Sequence, residues 1–477
     1  MEKLIGRKSE KKTLQQALVS TEAELVAVYG RRRVGKTFLI RQVYQQNLIC
    51  EFSGVHHAST QKQLENFRNA IALAMDSAIL PEIPKSWTEA FMLLIKFSTP
   101  LLNKKAVIFF DELPWLSSHK SGFLAAFEYF WNSWGSKQSN LIVTICGSAA
   151  SWMIQKIVNN RGGLHNRITK RLRLLPFTLY ETEAFLKSKS VNLDQYQILQ
   201  VYMAMGGIPH YLKDINTGES ATQVIDRLCF LKDGLLAHEF KNLYESLFEM
   251  ADRHISVVRA LAAKPSGLTR KEIIEECKLQ SGGGTTRLME ELIESGFVSL
   301  YFPFQKNVKE AIYKLSDEYS LFYLKFIEHS RATGQGTWLK LATSQSWKSW
   351  SGTAFESICL KHTNQIKYTL GISGVYTEES AWRFAPGKSG KGAQIDLLLD
   401  RHDVCINVCE MKFSNKEFSI DKSYATELKD RLNIFKEQTK TKKTLFLTMV
   451  TTYGTKDNIY KTGLVQNEIT MKDLFKS

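Results

Sequence analysis

Apolar and polar positions alternate in blocks along the first part of the chain, and these blocks predict a parallel α/β domain. Five apolar runs lie between residues 24 and 180: ELVAVYG, ICEFSGV, AVIFFDE, LIVTICGS and RLLPF. Stretches with helical periodicity separate them. Uninterrupted apolar runs are typical of strands buried on both faces of a parallel sheet, with helices as crossover connections. We therefore expect five buried parallel strands in this region.

The pattern becomes helical from residue 178 to residue 249, with one interruption. The segment GGIPHYL, residues 206–212, contains two glycines and Pro209, which interrupt a helix. Residues 252–315 then predict three helices and a two-stranded hairpin, with Thr269 as N-cap of the second helix and Glu272 three residues later. This succession is typical of a winged helix.

A helical connector rich in aromatic residues, residues 321–345, leads to a last α/β domain over residues 346–477. In that domain the runs QIDLLLD, VCINVCEMK and TLFLTMVTT predict strands, and helices are expected before the first run and over residues 425–438. A chain of 477 residues is too long for one hydrophobic core, so several domains are expected.

The sequence GRRRVGKT, residues 30–37, fits the pattern G-x-x-x-x-G-K-[ST] and lies between a predicted buried strand and a predicted helix. The backbone of such a loop and helix start surrounds phosphate oxygens; here it comprises Gly30, Arg31, Arg32, Arg33, Val34, Gly35, Lys36, Thr37 and Phe38. Lys36 would bridge the β- and γ-phosphates, and the Thr37 hydroxyl would complete a Mg²⁺ shell. ATP and Mg²⁺ are thus the predicted cofactors. Because binding uses the backbone, the arginine side chains can point outward.

Two acidic residues, Asp111 and Glu112, end the apolar run AVIFFDE. Asp111 is expected to hold Mg²⁺ through water, and Glu112 to orient and deprotonate the attacking water. Ser148, at the end of the next strand, either contacts the γ-phosphate or that water, or caps a helix. Arg167 is the candidate for an arginine that stabilises the transition state, with Arg161 in reserve; a surface arginine with a structural role is the alternative.

Charged residues also stand on the predicted strands of the last domain. Asp396 lies between apolar residues, and Glu410 and Lys412, two positions apart, face the same side of the next strand. Two such carboxylates and a lysine suit a Mg²⁺-dependent phosphodiesterase, in which Asp396 and Glu410 hold Mg²⁺ or Mn²⁺. Glu356, on the preceding helix, would add a ligand or orient one. An ordinary ion pair at a strand edge is the alternative.

The charge balance favours a polyanionic partner without identifying it. The chain has 63 basic and 48 acidic residues, a formal net charge of +15. We take DNA as the predicted macromolecular partner. Lys422 and Lys429 flank the candidate phosphodiesterase residues, and either contact a nucleic-acid backbone or form a solvated helix face.

The start, MEKLIGRKSEKK, lacks the apolar stretch of a secretory signal, and no segment keeps 18 or more apolar residues together. We therefore expect a cytoplasmic protein with no membrane partner. Seven cysteines without a CxxC pair argue against a disulfide framework or a structural zinc site.

Five segments resemble, in their order, the archaeal-type ATPases of the STAND/AAA-like P-loop group, which are also widespread in bacteria: LIGRKSEKKTL, GRRRVGKT, FFDELPW, HNRI and GGIPHYL. The resemblance covers residues 4–320, including the winged helix. It implies a sheet with strand order 5-1-4-3-2, an adenine pocket near Gly6 and Arg7, and a lid at residues 206–212.

The succession GTAFE, QIDLLLD and CEMKF, followed by a helix and TLFLTMVTT, resembles the restriction-endonuclease-like PD-(D/E)xK fold. A domain of this kind is repeatedly appended to such ATPases. The resemblance places Glu356, Asp396, Glu410 and Lys412 on the four positions of the motif. One departure is that Ile395, and not a proline, precedes Asp396.

The predicted organisation is a P-loop ATPase core (1–177), a helical lid (178–249), a winged helix (250–320), a helical connector (321–345) and a nuclease-like domain (346–477). The predicted function is ATP hydrolysis coupled to a Mg²⁺-dependent nuclease-like domain acting on DNA. An ATP-dependent switch that binds DNA or a protein partner without cleaving is the alternative. A mechanical ATPase that handles protein is a third possibility, which the net charge does not support.

Two further expectations concern assembly. The third helix of the winged helix, TTRLMEELIES, carries more acid than base, which disfavours entry into a DNA groove, so intramolecular contacts are expected there. An exposed arginine supplied to a neighbouring subunit would suit a homo-oligomer.

Overall fold

The computed structural model describes residues 4–75, 80–118, 120–158, 162–164, 166–306, 310–330, 334–384 and 392–477. The chain divides into two compact units. The first comprises residues up to Pro176 together with Glu290–Gly296, and the second comprises Phe177–Met289 and Phe297–Ser477. The boundaries predicted at residues 249, 320 and 345 stay predictions.

The first unit is built on a five-stranded parallel sheet. Its strands are β1 (Glu24–Tyr29), β2 (Leu48–Ser53), β3 (Ala106–Asp111), β4 (Leu141–Gly147) and β5 (Lys170–Arg173). Their order across the sheet is β2-β3-β4-β1-β5, as the resemblance implied. The expected α/β class is therefore confirmed. Tyr29 pairs with Gly147, so β1 and β4 end together and the loops that follow them leave from one edge.

Seven α-helices of this unit lie within the described residues: α1 (Lys8–Leu18), α2 (Lys36–Tyr44), α3 (Thr60–Ala74), α4 (Trp87–Ser98), α5 (Leu113–Leu116), α6 (Phe123–Ser133) and α7 (Ala150–Met153). One hydrophobic core joins the sheet to α3, α4 and α6 through aromatic side chains such as Phe67, Phe91 and Phe127. Strands β3 and β4 are buried at every position, which explains their uninterrupted apolar runs.

The fifth strand was predicted at RLLPF, and this position was wrong. The strand is Lys170–Arg173, whose residues are mostly not fully buried. Among the strands that the structure describes, it pairs with β1 alone and lies at the edge of the sheet, so it needs no uninterrupted apolar run. The apolar residues after it follow the strand, and Pro176 has no N–H with which to extend the pairing.

The α-helices of the second unit range from four residues in α10 to 18 residues in α20. Their bounds are α8 (Leu179–Ser188), α9 (Gln195–Met205), α10 (Pro209–Leu212), α11 (Ala221–Phe230), α12 (Glu239–Glu245), α13 (Ala251–Ala263), α14 (Arg270–Glu276), α15 (Gly283–Glu294, whose end falls in the first unit), α16 (Glu318–Phe322), α17 (Thr337–Leu341), α18 (Gln345–Lys361), α19 (Thr363–Thr369), α20 (Lys422–Thr439), α21 (Ile459–Thr462) and α22 (Met471–Leu474). Within the described ranges, no helix of the chain has the length and apolar character needed to cross a membrane.

Helices α13 to α15 are accompanied by a three-stranded antiparallel sheet of β6 (Leu268–Thr269), β7 (Val298–Tyr301) and β8 (Ile312–Leu315). Strand β8 lies in the middle and forms a hairpin with β7. Thr269 caps α14 in a capping box with Glu272, as its sequence predicted. We refer to residues 251–315 as the three-helix segment.

A mixed five-stranded sheet lies within residues 346–477, the range predicted as the last domain, which we call the C-terminal domain. Its strands are β9 (Thr377–Phe384), β10 (Ala393–Arg401), β11 (Cys405–Lys412), β12 (Thr444–Thr451) and β13 (Asn467–Thr470), in the order β13-β12-β11-β10-β9. Strand β10 is antiparallel to both of its neighbours, β9 and β11, whereas β11, β12 and β13 are parallel. Helix α20 connects β11 to β12 and packs Phe435 against Ile395, Leu398 and Val408.

The predicted helix interruption at GGIPHYL is confirmed. Helix α9 ends at Met205, and Gly206 takes a positive φ of 65°. The next residue, Gly207, accepts a hydrogen bond on its carbonyl from the N–H of Phe177 at 2.7 Å. A Cβ on Gly207 would lie 2.0 Å from the Phe177 carbonyl oxygen, so only glycine fits there.

We predict that Gly207→Ala lowers the free energy of unfolding by about 1–3 kcal/mol, because its methyl group would overlap a backbone oxygen that cannot rotate away. Thermal unfolding measures the effect. Gly374→Ala is the matched control, since its Cβ would have no atom within 4 Å. Equal melting temperatures for the two variants would contradict this account of the break.

Candidate functional site

The loop between β1 and α2 has the backbone conformation that its glycines permit. Gly30 has a φ of 140°, and a Cβ there would lie 2.3 Å from the carbonyl oxygen of Leu174. Gly35 has a φ of 90° and is the N-cap of α2. The loop therefore places the first N–H groups of α2 at the carboxyl edge of the sheet. The first N–H groups of a helix have no carbonyl partner within the helix, so they favour binding of an anion there.

The side chain of Lys36 lies inside this loop and binds its backbone. Lys36 is only 5% exposed, and its Nζ donates to the carbonyl oxygens of Gly30 at 3.0 Å and Arg31 at 2.9 Å. The same Nζ donates to Ser148 Oγ at 2.9 Å. A cation is thus held at the centre of the loop, next to the end of β4.

Thr37 and Asp111 place two oxygen atoms side by side. The Thr37 hydroxyl donates to Asp111 Oδ2 at 2.8 Å. Burial raises the pKa of Asp111, while the hydrogen bond from Thr37 acts in the opposite direction. A hydroxyl beside a buried carboxylate fits a hard divalent cation such as Mg²⁺, which prefers oxygen ligands.

Glu112 takes an uncommon backbone conformation, with a φ of 47°. Its carboxylate accepts a hydrogen bond from the backbone N–H of Ser148 at 3.0 Å and another from the Ser148 hydroxyl. Ser148 therefore lies between Lys36 and Glu112, and its hydroxyl contacts both. Its predicted contact with the γ-phosphate or the attacking water stays a prediction.

The arginines of the loop do not all point outward. Arg31 is only 3% exposed, so the expectation was wrong for this residue. Arg32 is partly exposed, and its guanidinium lies 5.7 Å from the centre of the Trp115 ring. Arg33 takes a positive φ of 71°, and Phe38 exposes its ring on the first turn of α2.

Of the remaining predicted residues in this unit, Arg7 is buried, and its Nη2 donates to the Val34 carbonyl at 3.2 Å. It thereby ties the start of the chain to the phosphate loop. Arg167 is exposed. Arg161 lies outside the described residues.

A second cluster of charged side chains lies on β10, β11 and α18. Leu397 pairs with Cys409, so the preceding residue Asp396 stands opposite Glu410. Lys412 Nζ is 2.9 Å from Glu410 Oε1. Glu356 belongs to the same cluster, because Asp396, Lys412 and Glu410 all act on its pKa. The four motif residues of the sequence analysis thus come together in one place.

Glu410 is surrounded by donors that the sequence analysis did not include. The Tyr424 hydroxyl donates to Glu410 Oε1 at 2.5 Å, and Arg431 Nη1 donates to Oε2. Tyr424 and Arg431 are seven residues apart on α20, which places them on one helix face. That spacing was visible in the sequence, but nothing there indicated which strand the face covers.

Burial, and secondarily the charge of Asp396, raise the pKa of Glu356 to about 7. Lys412 and Lys314 act in the opposite direction. Glu356 is therefore partly protonated near neutral pH and can give or take a proton there. A carboxyl group of this kind is typical of functional sites.

Within the described ranges, no three His, Cys, Asp or Glu side chains are arranged so that they could jointly hold a metal ion. In the acidic cluster, Asp396 and Glu410 from neighbouring strands are the two carboxylates that fit such a ligand role. Both oxygens of Glu410 already accept hydrogen bonds, so a metal ion there would compete with these donors.

A cleft of about 680 Å³ borders the cluster. It is lined by Gln394, whose side chain donates to Asp396 Oδ1 at 2.8 Å, and by Arg431, which binds Glu410. Lys422 also lines the cleft, together with acidic residues of α20. Lys429 is exposed and is not among the lining residues.

Comparison with known proteins supports the fold of the first unit. Residues 4–215 match the profile of a family described as an ATPase domain predominantly from Archaea. A Walker-type ATPase of Pyrococcus abyssi, PABY2304, has a similar structure with a TM-score of 0.50 at 16% identity, covering 67% of this chain and 96% of that one. Residues 4–215 have the P-loop ATPase fold. ATP binding and hydrolysis is the activity that this match supports.

Two other proteins are similar over greater lengths. MJECL04 of Methanocaldococcus jannaschii, described as uncharacterized, is 21% identical over 428 residues, or 88% of this chain and 90% of that protein. The structure of the Aeropyrum pernix ORC2 protein covers 72% of this chain at 12% identity, with a TM-score of 0.43. The family match ends at residue 215, so it supports the ATPase domain but does not extend to the three-helix segment or the C-terminal domain.

We predict that Glu356→Gln stabilises the second unit at alkaline pH by up to about 3 kcal/mol. The raised pKa of Glu356 means that the folded state resists its ionisation, so wild-type stability falls as pH rises from about 4.5 to about 7. Glutamine removes that dependence. Melting temperatures at pH 5 and pH 8 measure the difference, which should be large only at pH 8.

Glu437→Gln, on the exposed face of α20, is the control and should shift the melting temperature equally at both pH values. A Glu356→Gln shift that is the same at pH 5 and pH 8 would show that the carboxyl group ionises freely in the folded protein.

Proposed function

We propose that this chain hydrolyses ATP in its ATPase domain and that a Mg²⁺-dependent phosphodiesterase site in its C-terminal domain acts on DNA. The observation that carries the second part is the convergence of Glu356, Asp396, Glu410 and Lys412 from one helix and two strands. Carboxylates gathered at low exposure repel one another, and a purely structural domain gains nothing from this arrangement.

In the ATPase domain, Lys36 and the N–H groups at the start of α2 would hold the β- and γ-phosphates. Thr37 and Asp111 would hold Mg²⁺, which neutralises charge on the phosphates when bound. Glu112 would orient the attacking water and accept its proton. Ser148 supports this assignment, since its hydroxyl contacts both Lys36 and Glu112.

In the C-terminal domain, Asp396 and Glu410 would hold Mg²⁺ or Mn²⁺, which activates water and polarises a phosphodiester when bound. Lys412 would offset the charge that develops on the phosphate. Arg431 would release Glu410 towards the metal ion and turn towards the bordering cleft, where a nucleic-acid backbone offers it another anion.

DNA is the proposed substrate because the formal net charge of +15 and the cations at the cleft favour a polyanion. Intramolecular contact remains the proposed role of the three-helix segment, taken as a winged helix. A homo-oligomer in which Arg167 serves a neighbouring subunit is part of the same proposal.

The second candidate is an ATP-dependent switch that binds DNA or a protein partner without cleaving. One observation favours it, namely the surroundings of Glu410. Lys412 and Arg431 neutralise the charge of the Glu410 carboxylate, and Tyr424 donates a hydrogen bond to it. The carboxylate that cleavage requires is therefore already bound by other side chains. The two candidates are distinguished by one measurement, because only the first produces cleaved DNA.

For the ATPase site we predict that Glu112→Gln lowers the rate of ATP hydrolysis by about 100-fold or more while nucleotide binding persists, because the amide cannot accept the proton of water. Lys36→Ala should lose nucleotide binding itself. Phosphate release and binding of a fluorescent ATP analogue measure the two effects. Glu65→Gln, at a surface ion pair of the same domain, is the control.

A Glu112→Gln enzyme that hydrolyses ATP at the wild-type rate would remove Glu112 from the proposed mechanism, whereas normal nucleotide binding by Lys36→Ala would remove the loop itself.

For the second site we predict Mg²⁺- or Mn²⁺-dependent cleavage of DNA that falls by at least about 100-fold in Glu410→Ala and Asp396→Ala, with ATP hydrolysis unchanged. Labelled duplex and single-stranded DNA serve as substrates. Asp400→Asn is the matched control, because Asp400 lies on the same strand but pairs with Lys443 at the far end of β10.

Cleavage that persists in Glu410→Ala would reject the proposed site. DNA binding by the wild type without cleavage under any of these conditions would favour the switch.

A further inference from the structure

The connection of the β7–β8 hairpin packs against the C-terminal domain and is hydrogen-bonded to it. After β7, the backbone N–H of Phe304 donates to the carbonyl oxygen of Ala381 on β9 at 2.8 Å. The Phe304 ring is buried in the core of the C-terminal domain, against Trp382 and Phe435. The position of the hairpin relative to β9 and β10 is therefore fixed by packing and by a backbone hydrogen bond.

This attachment places Lys314, on β8, beside the acidic cluster. Lys314 Nζ lies 3.8 Å from Asp396 Oδ1, and the Lys314 side chain is only 15% exposed. Its ammonium also lies 5.4 Å from the centre of the Tyr301 ring on the paired strand β7. Because the Lys314 side chain is mostly buried and its ammonium lies against the Tyr301 ring, its position is restricted.

Three cations surround the three carboxylates of the cluster, and they are not equivalent. Lys412 and Arg431 both lie within hydrogen-bond distance of Glu410. Within the described residues, Lys314 meets a carboxylate only at 3.8 Å, which is longer than a hydrogen bond. Lys314 is thus the cation of the cluster whose N–H groups are least committed to a carboxylate.

We propose that Lys314 is a fifth residue of the phosphodiesterase site and binds a phosphate of the DNA strand next to Asp396. This inference rests on the proposed function and adds to it a residue from another segment of the chain. Because the ammonium of Lys314 lies 3.8 Å from Asp396 Oδ1 and makes no hydrogen bond to it, a phosphate next to Asp396 can accept hydrogen bonds from Lys314 directly.

A role in attachment alone does not explain this lysine. The hairpin is already held by Phe304 and its backbone hydrogen bond. A pair at 3.8 Å between a lysine and a partly exposed carboxylate adds little to stability. Binding of a phosphate, by contrast, leaves a specific mark, because the removal of one phosphate-binding cation reduces the salt dependence of DNA binding.

The test measures DNA binding by the full-length chain in EDTA, so that no strand is cut, with labelled duplex and single-stranded DNA at several salt concentrations. Lys314→Gln should weaken binding by about 3- to 10-fold at low salt and make the slope of log K against log salt shallower by about 0.7–0.9. Lys314→Arg should keep the wild-type slope, because arginine also binds phosphate. Lys306→Gln, an exposed lysine of the same hairpin connection that pairs with Glu310, is the control and should keep the slope as well.

An unchanged slope in Lys314→Gln, with a lower melting temperature, would overturn the inference and make Lys314 a structural ion-pair partner. That result leaves the proposed function standing if the wild type and Lys306→Gln bind and cut DNA. If the wild type binds no DNA at all, the proposed function and this inference both fall.

Discussion

The chemistry of the C-terminal domain depends on one electrostatic constraint, the compensation of a buried carboxylate. Glu410 lies on the central strand of a mixed sheet, where an uncompensated charge would cost several kcal/mol. Lys412 compensates it from the same strand, and Tyr424 and Arg431 do so from the covering helix. The packing of α20 on β11 and the electrostatics of the site are therefore consequences of the same interaction.

The nucleotide loop and the acidic cluster of the C-terminal domain both hold cations at low exposure, but with different partners. At the nucleotide loop, a buried lysine is held by backbone carbonyls and a serine hydroxyl, which keep it near the place where phosphates would lie. In the C-terminal domain, cations are held by carboxylates instead. The partners of Lys36 are neutral, so its charge stays available to a ligand. The cations of the acidic cluster are already paired with carboxylates, so a bound phosphate would have to replace a carboxylate as their ionic partner.

Most of the fold of the first unit could be predicted from the sequence, because β1, β3 and β4 are buried and their apolar runs are uninterrupted. The edge strand β5 was misplaced, since it is exposed on one side and its sequence resembles a loop. The residues that converge in the two clusters were predicted from motif spacing, strand context and family resemblance together. The burial of Arg31 and the roles of Arg431 and Lys314 were not predicted, because their surroundings are set by contacts between segments that are distant in sequence and leave no local pattern.

The burial of Phe304 has a consequence for how the C-terminal half of the molecule can be divided. A fragment that begins at the aromatic connector or later would lack this ring and the strand that carries Lys314, leaving Trp382 and Phe435 uncovered. The smallest piece able to fold on its own should therefore start before the β7–β8 hairpin. The β7–β8 hairpin and the C-terminal sheet therefore share one hydrophobic core, although the sequence predicts them as parts of separate domains.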